Sequence, residues 1–243
     1  MKLGRRMVWL FLVVMLTGCM YPYEHVQHNA PPHPEQLKMV QESVDRFYAD
    51  THLLPIFTFD QNTPLYHRYA IDFNQLIPEY MVEPPPNAFE RGGVYRYVLT
   101  NVEEAPQVKV IDLRLSQQVA LLQQRINHYL QNHPYLPIDQ MLEGGFFTLD
   151  YKRLGIKPPV VQSPYSGENL PLIVNQKGEV GIDYRLDLYK VLQEKKGVDI
   201  KDGEDIRYLL VEDSPFVPAH SFPYKVVDGE PVLIESWNNE ARR

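Results

Sequence analysis

Apolar positions set the first elements. Leu37, Val40, Val44, Phe47 and Tyr48 recur at helical spacing and are followed by Leu54-Pro55-Ile56. Val119, Leu122, Ile126, Tyr129 and Leu130 repeat that spacing and are followed by Leu136-Pro137-Ile138, 82 positions further on (55 to 137). Each pattern predicts an amphipathic helix that stops before a Pro, because the ring forces the preceding residue into an extended conformation. Pro34 and Ser116 mark the expected helix starts.

Period-two alternation supplies two more anchors. Tyr69, Ile71 and Phe73 alternate with Ala70 and Asp72; Phe147, Leu149 and Tyr151 alternate with Thr148 and Asp150, now 78 positions apart (72 to 150). Ile111-Asp112-Leu113-Arg114-Leu115 matches Ile182-Asp183-Tyr184-Arg185-Leu186 at a separation of 71 (112 to 183). The separations shrink where loops such as Pro84-Pro85-Pro86 tolerate deletion. Three anchors in the same order indicate an internal repeat.

The remainder is read as a third, degenerate copy lacking the Leu-Pro-Ile and Asp-x-Arg signatures. It has a short helix around Leu188, Val191 and Leu192, then a strand over Ile206 to Val211. A hairpin follows, Tyr224 to Val227 and Val232 to Ile234, turned by Asp228-Gly229. The expected fold class is α+β: tandem duplicated units of one helix packed on an antiparallel sheet of about three strands, plus the degenerate third unit. The expected organisation is a signal peptide over 1–18 and a lipid anchor with a Pro-rich tether over 19–34. Unit 1 spans 35–115, unit 2 spans 116–186 and the third unit spans 187–243.

Composition changes the picture in two places. The formal charge is −7. It becomes −10 once Lys2, Arg5 and Arg6 leave with the signal, so the basic face a nucleic-acid reader needs is missing. The single Cys excludes intrachain disulfides, thiolate zinc clusters and CxxC redox chemistry. That Cys ends the signal: a basic start, an apolar run from Met7 to Leu16 too short to span a bilayer, then Thr17-Gly18-Cys19. Leu16-Thr17-Gly18-Cys19 resembles the lipobox of bacterial lipoproteins. That resemblance implies a thiol carrying diacylglycerol, with palmitate-type chains that hold Cys19 to the membrane. His25, His28 and His33 fall in the tether, with no helix or strand spacing and no carboxylates to complete a metal site; a solvated tether is the favoured reading.

The usual catalytic signatures are missing. There is no Gly-x-Ser-x-Gly turn, no HExxH, no EF-hand loop and no phosphate-binding Gly loop, so no catalytic residue, metal site or cofactor is assigned. The polar positions of the repeat are the candidate ligand site: Asp72, Asp112 and Arg114 in one unit, Asp150, Asp183 and Arg185 in the other. On strands these would share the face opposite the apolar residues, two carboxylates around one guanidinium. The competing and favoured reading is a cross-strand ion pair that fixes register. Tyr66, Tyr69, Tyr95, Tyr97, Tyr165, Tyr184 and Tyr189 divide between a glycan- or peptide-binding surface and core packing, with packing favoured.

The helix-plus-sheet architecture is similar to PepSY and cystatin-like modules. The lipobox, His-Arg-Tyr-Ala-Ile-Asp-Phe at 67–73 and Gly-Ile-Asp-Tyr-Arg-Leu-Asp-Leu-Tyr at 181–189 resemble uncharacterised Bacillus-type lipoproteins of the YphF kind. The resemblance implies a surface location and no established activity. The expectation is therefore an envelope lipoprotein anchored through Cys19 on the extracytoplasmic face. It would work as a non-enzymatic module whose partner is an envelope protein or wall component; the alternative is an envelope hydrolase using paired carboxylates such as Asp72 and Asp112.

Overall fold

A computed structural model describes residues 32–60, 62–195, 197 and 200–234. The signal, Cys19, His25 and His28 lie outside the described residues. Helix α1 (Pro34–Thr51) starts with Pro at its first position and ends at His52 in the left-handed region. It buries Val40, Ser43, Val44 and Phe47, the face set by the apolar spacing. Helix α2 (Leu113–Leu130) buries Val119, Leu122 and Ile126. Between them run β1 (Tyr95–Thr100) and β2 (Gln107–Asp112), an antiparallel pair. After α2 come β3 (Ile138–Met141), β4 (Phe147–Leu149), β5 (Val161–Gln162), β6 (Asn169–Leu170), β7 (Leu172–Val174) and β8 (Val180–Ile182). Helices α3 (Arg185–Glu194) and α4 (Leu209–Glu212) precede the hairpin β9 (Tyr224–Val227) and β10 (Glu230–Leu233). The fold is mixed α+β with small antiparallel sheets.

Two strand systems carry the cores. In one, Ile56 bridges Ile71, Ala70 bridges Val98 on β1, β1 pairs with β2, and Val110 on β2 bridges Phe216. In the other the order is β3, β4, β7, β8, and Ile182 at the end of β8 bridges Ser221. Both last bridges are parallel. Helix α1 packs on β2 and α2 on β8. The bonds after each helix fall at matched positions. Asp72 N donates to Pro55 O at 2.9 Å and Asp150 N to Pro137 O at 2.8 Å; Ile56 N donates to Leu54 O at 2.9 Å and Ile138 N to Leu136 O at 3.0 Å.

Residues 215–221 form a strap between the two systems. Val110 N donates to Pro215 O, Val217 N to Val110 O and Ile182 N to His220 O, at 2.8, 3.1 and 2.8 Å. Lys109, only 8% exposed, fixes its near end: Nζ donates to Val211 O and Ser214 O at 2.7 and 2.8 Å, closing the C-terminus of α4. The strap covers sheet edges that would otherwise offer unpaired backbone groups.

Several expectations are corrected. Helix α2 starts at Leu113, three residues before Ser116, because Asp112 is its N-cap. Arg114 and Arg185 therefore lie in helices, not on strands. Residues 206–211, read as a strand, form a 3-10 turn running into α4. Phe73 opens a 3-10 turn capped by the Asp72 side chain, so the 69–73 stretch keeps only two bridges. Val44, Phe47 and Ile71 share one apolar cluster while Leu113 packs against another. Ile126, Leu149 and Tyr184 are buried together, but Tyr129 is half-buried and stacks on His133 at 3.9 Å. Of the seven tyrosines, Tyr95, Tyr97 and Tyr184 are buried, Tyr66, Tyr69 and Tyr165 half-buried, and Tyr189 exposed.

Candidate functional site

The Asp-x-Arg triplets sit where a chain segment turns into a helix. Asp112 ends β2, and its Oδ1 accepts from Arg114 N at 2.9 Å, satisfying one of the amides a helix start leaves open. The same carboxylate takes the Arg114 side chain in a fork, Nε to Oδ1 at 2.8 Å and Nη2 to Oδ2 at 2.5 Å. Asp183 and Arg185 repeat this: 3.1 Å from the backbone amide, 3.0 Å from Nε and 2.5 Å from Nη2. The ion pair is therefore a clasp between residues two apart, not a cross-strand pair.

A third clasp completes the set. Asp205 accepts from Arg207 N at 3.1 Å and from Nε and Nη2 at 3.1 and 2.6 Å. The apolar run 206–211 has the sequence pattern of a strand, and that pattern conceals this triplet. Its middle residue is apolar in all three: Leu113, Tyr184 and Ile206. Each clasp also meets a tyrosine. The Tyr95 ring lies 5.8 Å under the Arg114 guanidinium and the Tyr66 ring 5.4 Å under that of Arg207. Tyr224 OH donates to Asp183 Oδ1 at 3.2 Å and accepts from Tyr184 N at 2.9 Å. The carboxylates hold all three guanidinium groups above their usual pKa, and burial of Arg207 works against this. Arg207 also donates to Ser221 O at 2.8 Å, so its clasp is built into the strap.

The other candidates go elsewhere. Asp72 accepts from Asn74 N and from Gln75 Nε2, both at 3.1 Å. Asp150 accepts from Lys152 N and Arg153 N, and pairs with Arg153 Nε at 3.3 Å. Both carboxylates cap the turn that follows them. The structure thus joins Asp112 to Arg114 and Asp183 to Arg185, and turns Asp72 and Asp150 to local duties.

Three further polar groups escaped the sequence reading. Gln41 on α1 accepts from Val108 N at 2.7 Å and donates to Pro106 O at 3.0 Å; Gln123 on α2 accepts from Val180 N at 2.9 Å and donates to Gly178 O at 2.8 Å. They stand 82 positions apart, the separation already seen for the Pro residues, and that was the available signal. Asp187, 1% exposed, accepts from Ser163 Oγ at 2.8 Å and Ser166 Oγ at 2.5 Å, pinning the 163–168 loop to α3. Burial pushes its carboxyl up, against the two hydroxyls. Among the described residues no group of three or more His, Cys, Asp or Glu is placed to hold a metal ion.

Several large apolar side chains face solvent near the two Leu-Pro-Ile segments. Around the first Leu-Pro-Ile, Leu53, Phe57 and Phe59 are 65%, 47% and 39% exposed. Around the second, Tyr135 and Met141 are 81% and 74% exposed, and β3 is the outer strand of its sheet. Tyr135, Ile138 and Phe147 line a shallow groove beside that strand.

Residues 33–112 match the YphF family N-terminal domain. The YphF-type segment is a third of the chain and runs from the N-cap of α1 to the N-cap of α2, so it contains α1, β1, β2 and the first Leu-Pro-Ile edge. No curated protein and no solved structure matches the chain. No helix among the described residues is long and apolar enough to cross a membrane.

Proposed function

We propose that this chain is an envelope lipoprotein held to the extracytoplasmic face through lipid-modified Cys19. Its folded part then acts as a non-catalytic interaction module built from two like units and a third, reduced one. The observation that carries this reading is the division of its surface. The candidate carboxylates are engaged in clasps and caps, while each Leu-Pro-Ile segment is flanked by exposed apolar side chains: Leu53, Phe57 and Phe59 at one, Tyr135 and Met141 at the other. An outer strand with unpaired backbone groups and exposed Tyr135 and Met141 suits an envelope protein that adds an extended segment.

The test has two arms. Cys19→Ala should move the protein from the membrane fraction to the soluble fraction; retention after a salt wash would refute the anchor. A photo-crosslinking side chain at Tyr135 should capture a reproducible envelope partner, and one at exposed Leu121 on α2 should not. Equal capture at both positions, or none at Tyr135, would overturn the assignment of the edge.

A further inference from the structure

His67 and His220 are far apart in the sequence and meet edge to face, with ring centroids 4.6 Å apart at 64°. Nε2 of each ring is buried without a hydrogen-bond partner. His67 closes a 3-10 turn (Leu65–His67) that packs on β1. His220 lies in the strap with φ 57°, and its carbonyl accepts the Ile182 amide. The pair therefore sits where the YphF-type segment meets the strap.

The charged surroundings are cationic. Arg96 from β1 acts on His67, and His67 in turn acts on His220. Arg207 flanks both chain segments, lying over Tyr66 and donating to Ser221 O, while its countercharge Asp205 is held in the clasp. Among the described residues no carboxylate forms an ion pair with either ring.

We infer that this pair is an acid-sensitive latch: proton uptake by His67 and His220 loosens the strap 215–221 from β2 and β8. A proton on either ring would put a cation against the other, half-buried imidazole, with Arg96 beside His67 and no ion-paired acid on either ring to receive it. Burial lowers both imidazoles, and His220 is pushed down to about 4. Because the folded value lies below the unfolded value of about 6.5, the latch contributes fully above pH 6.5. Its contribution is lost as pH falls toward 4. The inference does not depend on the envelope reading, since neither the anchor nor a partner enters it.

The test is hydrogen exchange read as protection factors, which removes the intrinsic pH effect on exchange. The amides of Val110, Val217 and Ile182 make the strap's bonds directly, and those of Asp150 and Val180 serve as controls. With His220 at about 4, opening that frees the ring should be roughly 30-fold easier at pH 5 than at pH 7.5. Strap amides should lose that much protection while the controls change less than threefold. His220→Asn, which tolerates the positive φ, should remove most of the difference and leave only the part that His67 contributes. An equal loss at the controls, or the same loss in His220→Asn, would overturn the latch. Ring-proton NMR of the unmodified protein decides independently: either imidazole titrating at 6.5 or above refutes it, even if the variant does not fold.

Discussion

Gln41 and Gln123 offer the sharpest test of how each helix is fixed to its sheet. Gln41→Ala removes the acceptor of Val108 N and the donor to Pro106 O; Gln123→Ala does the same to Val180 N and Gly178 O. A partly buried amide left without a partner costs about 1–3 kcal/mol, and the second bond adds about 1 kcal/mol. Each variant should lose about 2–4 kcal/mol, read from the urea midpoint at unchanged slope. The matching change in Tm is roughly 4–16 °C for a protein of this size. Replacement by Glu separates the sites. Glu keeps the acceptor but lies beside Asp45 at position 41 and beside Asn127 at position 123, where the Asn amide can turn to donate. Gln41→Glu should therefore be clearly worse than Gln123→Glu, while the two Ala variants agree. An Ala variant within 0.5 kcal/mol of the parent, or Glu variants that cannot be told apart, would refute the reasoning.

Lys109→Met removes the ammonium but leaves Val211 O and Ser214 O without their donor, so it should cost about 2–3 kcal/mol, with lost amide protection concentrated in α4. A Cβ on Gly93 would stand 2.1 Å from the backbone C and O of Asn87, so Gly93→Ala should cost about 3 kcal/mol or more. Gly155→Ala, at φ +65° with open space around it, should cost only about 1–2 kcal/mol; equal midpoints for these two would contradict the packing described.

The helical faces of α1 and α2 were legible because burial follows a 3.6-residue period, and the Asp228-Gly229 turn was legible because its residues dictate its geometry. The clasps were misplaced for a physical reason. In Ile111-Asp112-Leu113-Arg114-Leu115, apolar and polar residues alternate, and an N-cap followed by a fork two residues on produces the same pattern as a half-buried strand. The ambiguity hid the third clasp altogether, since Ile206 to Val211 is apolar enough for a strand. Gln41 and Gln123 could have been found by extending the matched separation to polar positions. The strap's contact with β2, Lys109 and the His67–His220 contact could not: each joins residues about 100 or more positions apart, and local pattern carries no sign of it.

The strap also sets an order of events in synthesis. The YphF-type segment ends at residue 112, yet the outer side of β2 pairs with residues 215–217, and the acceptors for Lys109 come from 211–214. A fragment cut at 112 would retain α1 and the β1–β2 pair but present Val110 on a raw edge. In the growing chain the same edge waits for about 100 more residues, on the order of 5–20 s at usual rates of synthesis. During that interval β2 can be captured by another chain's strand, a hazard that disappears once the last third of the protein has arrived.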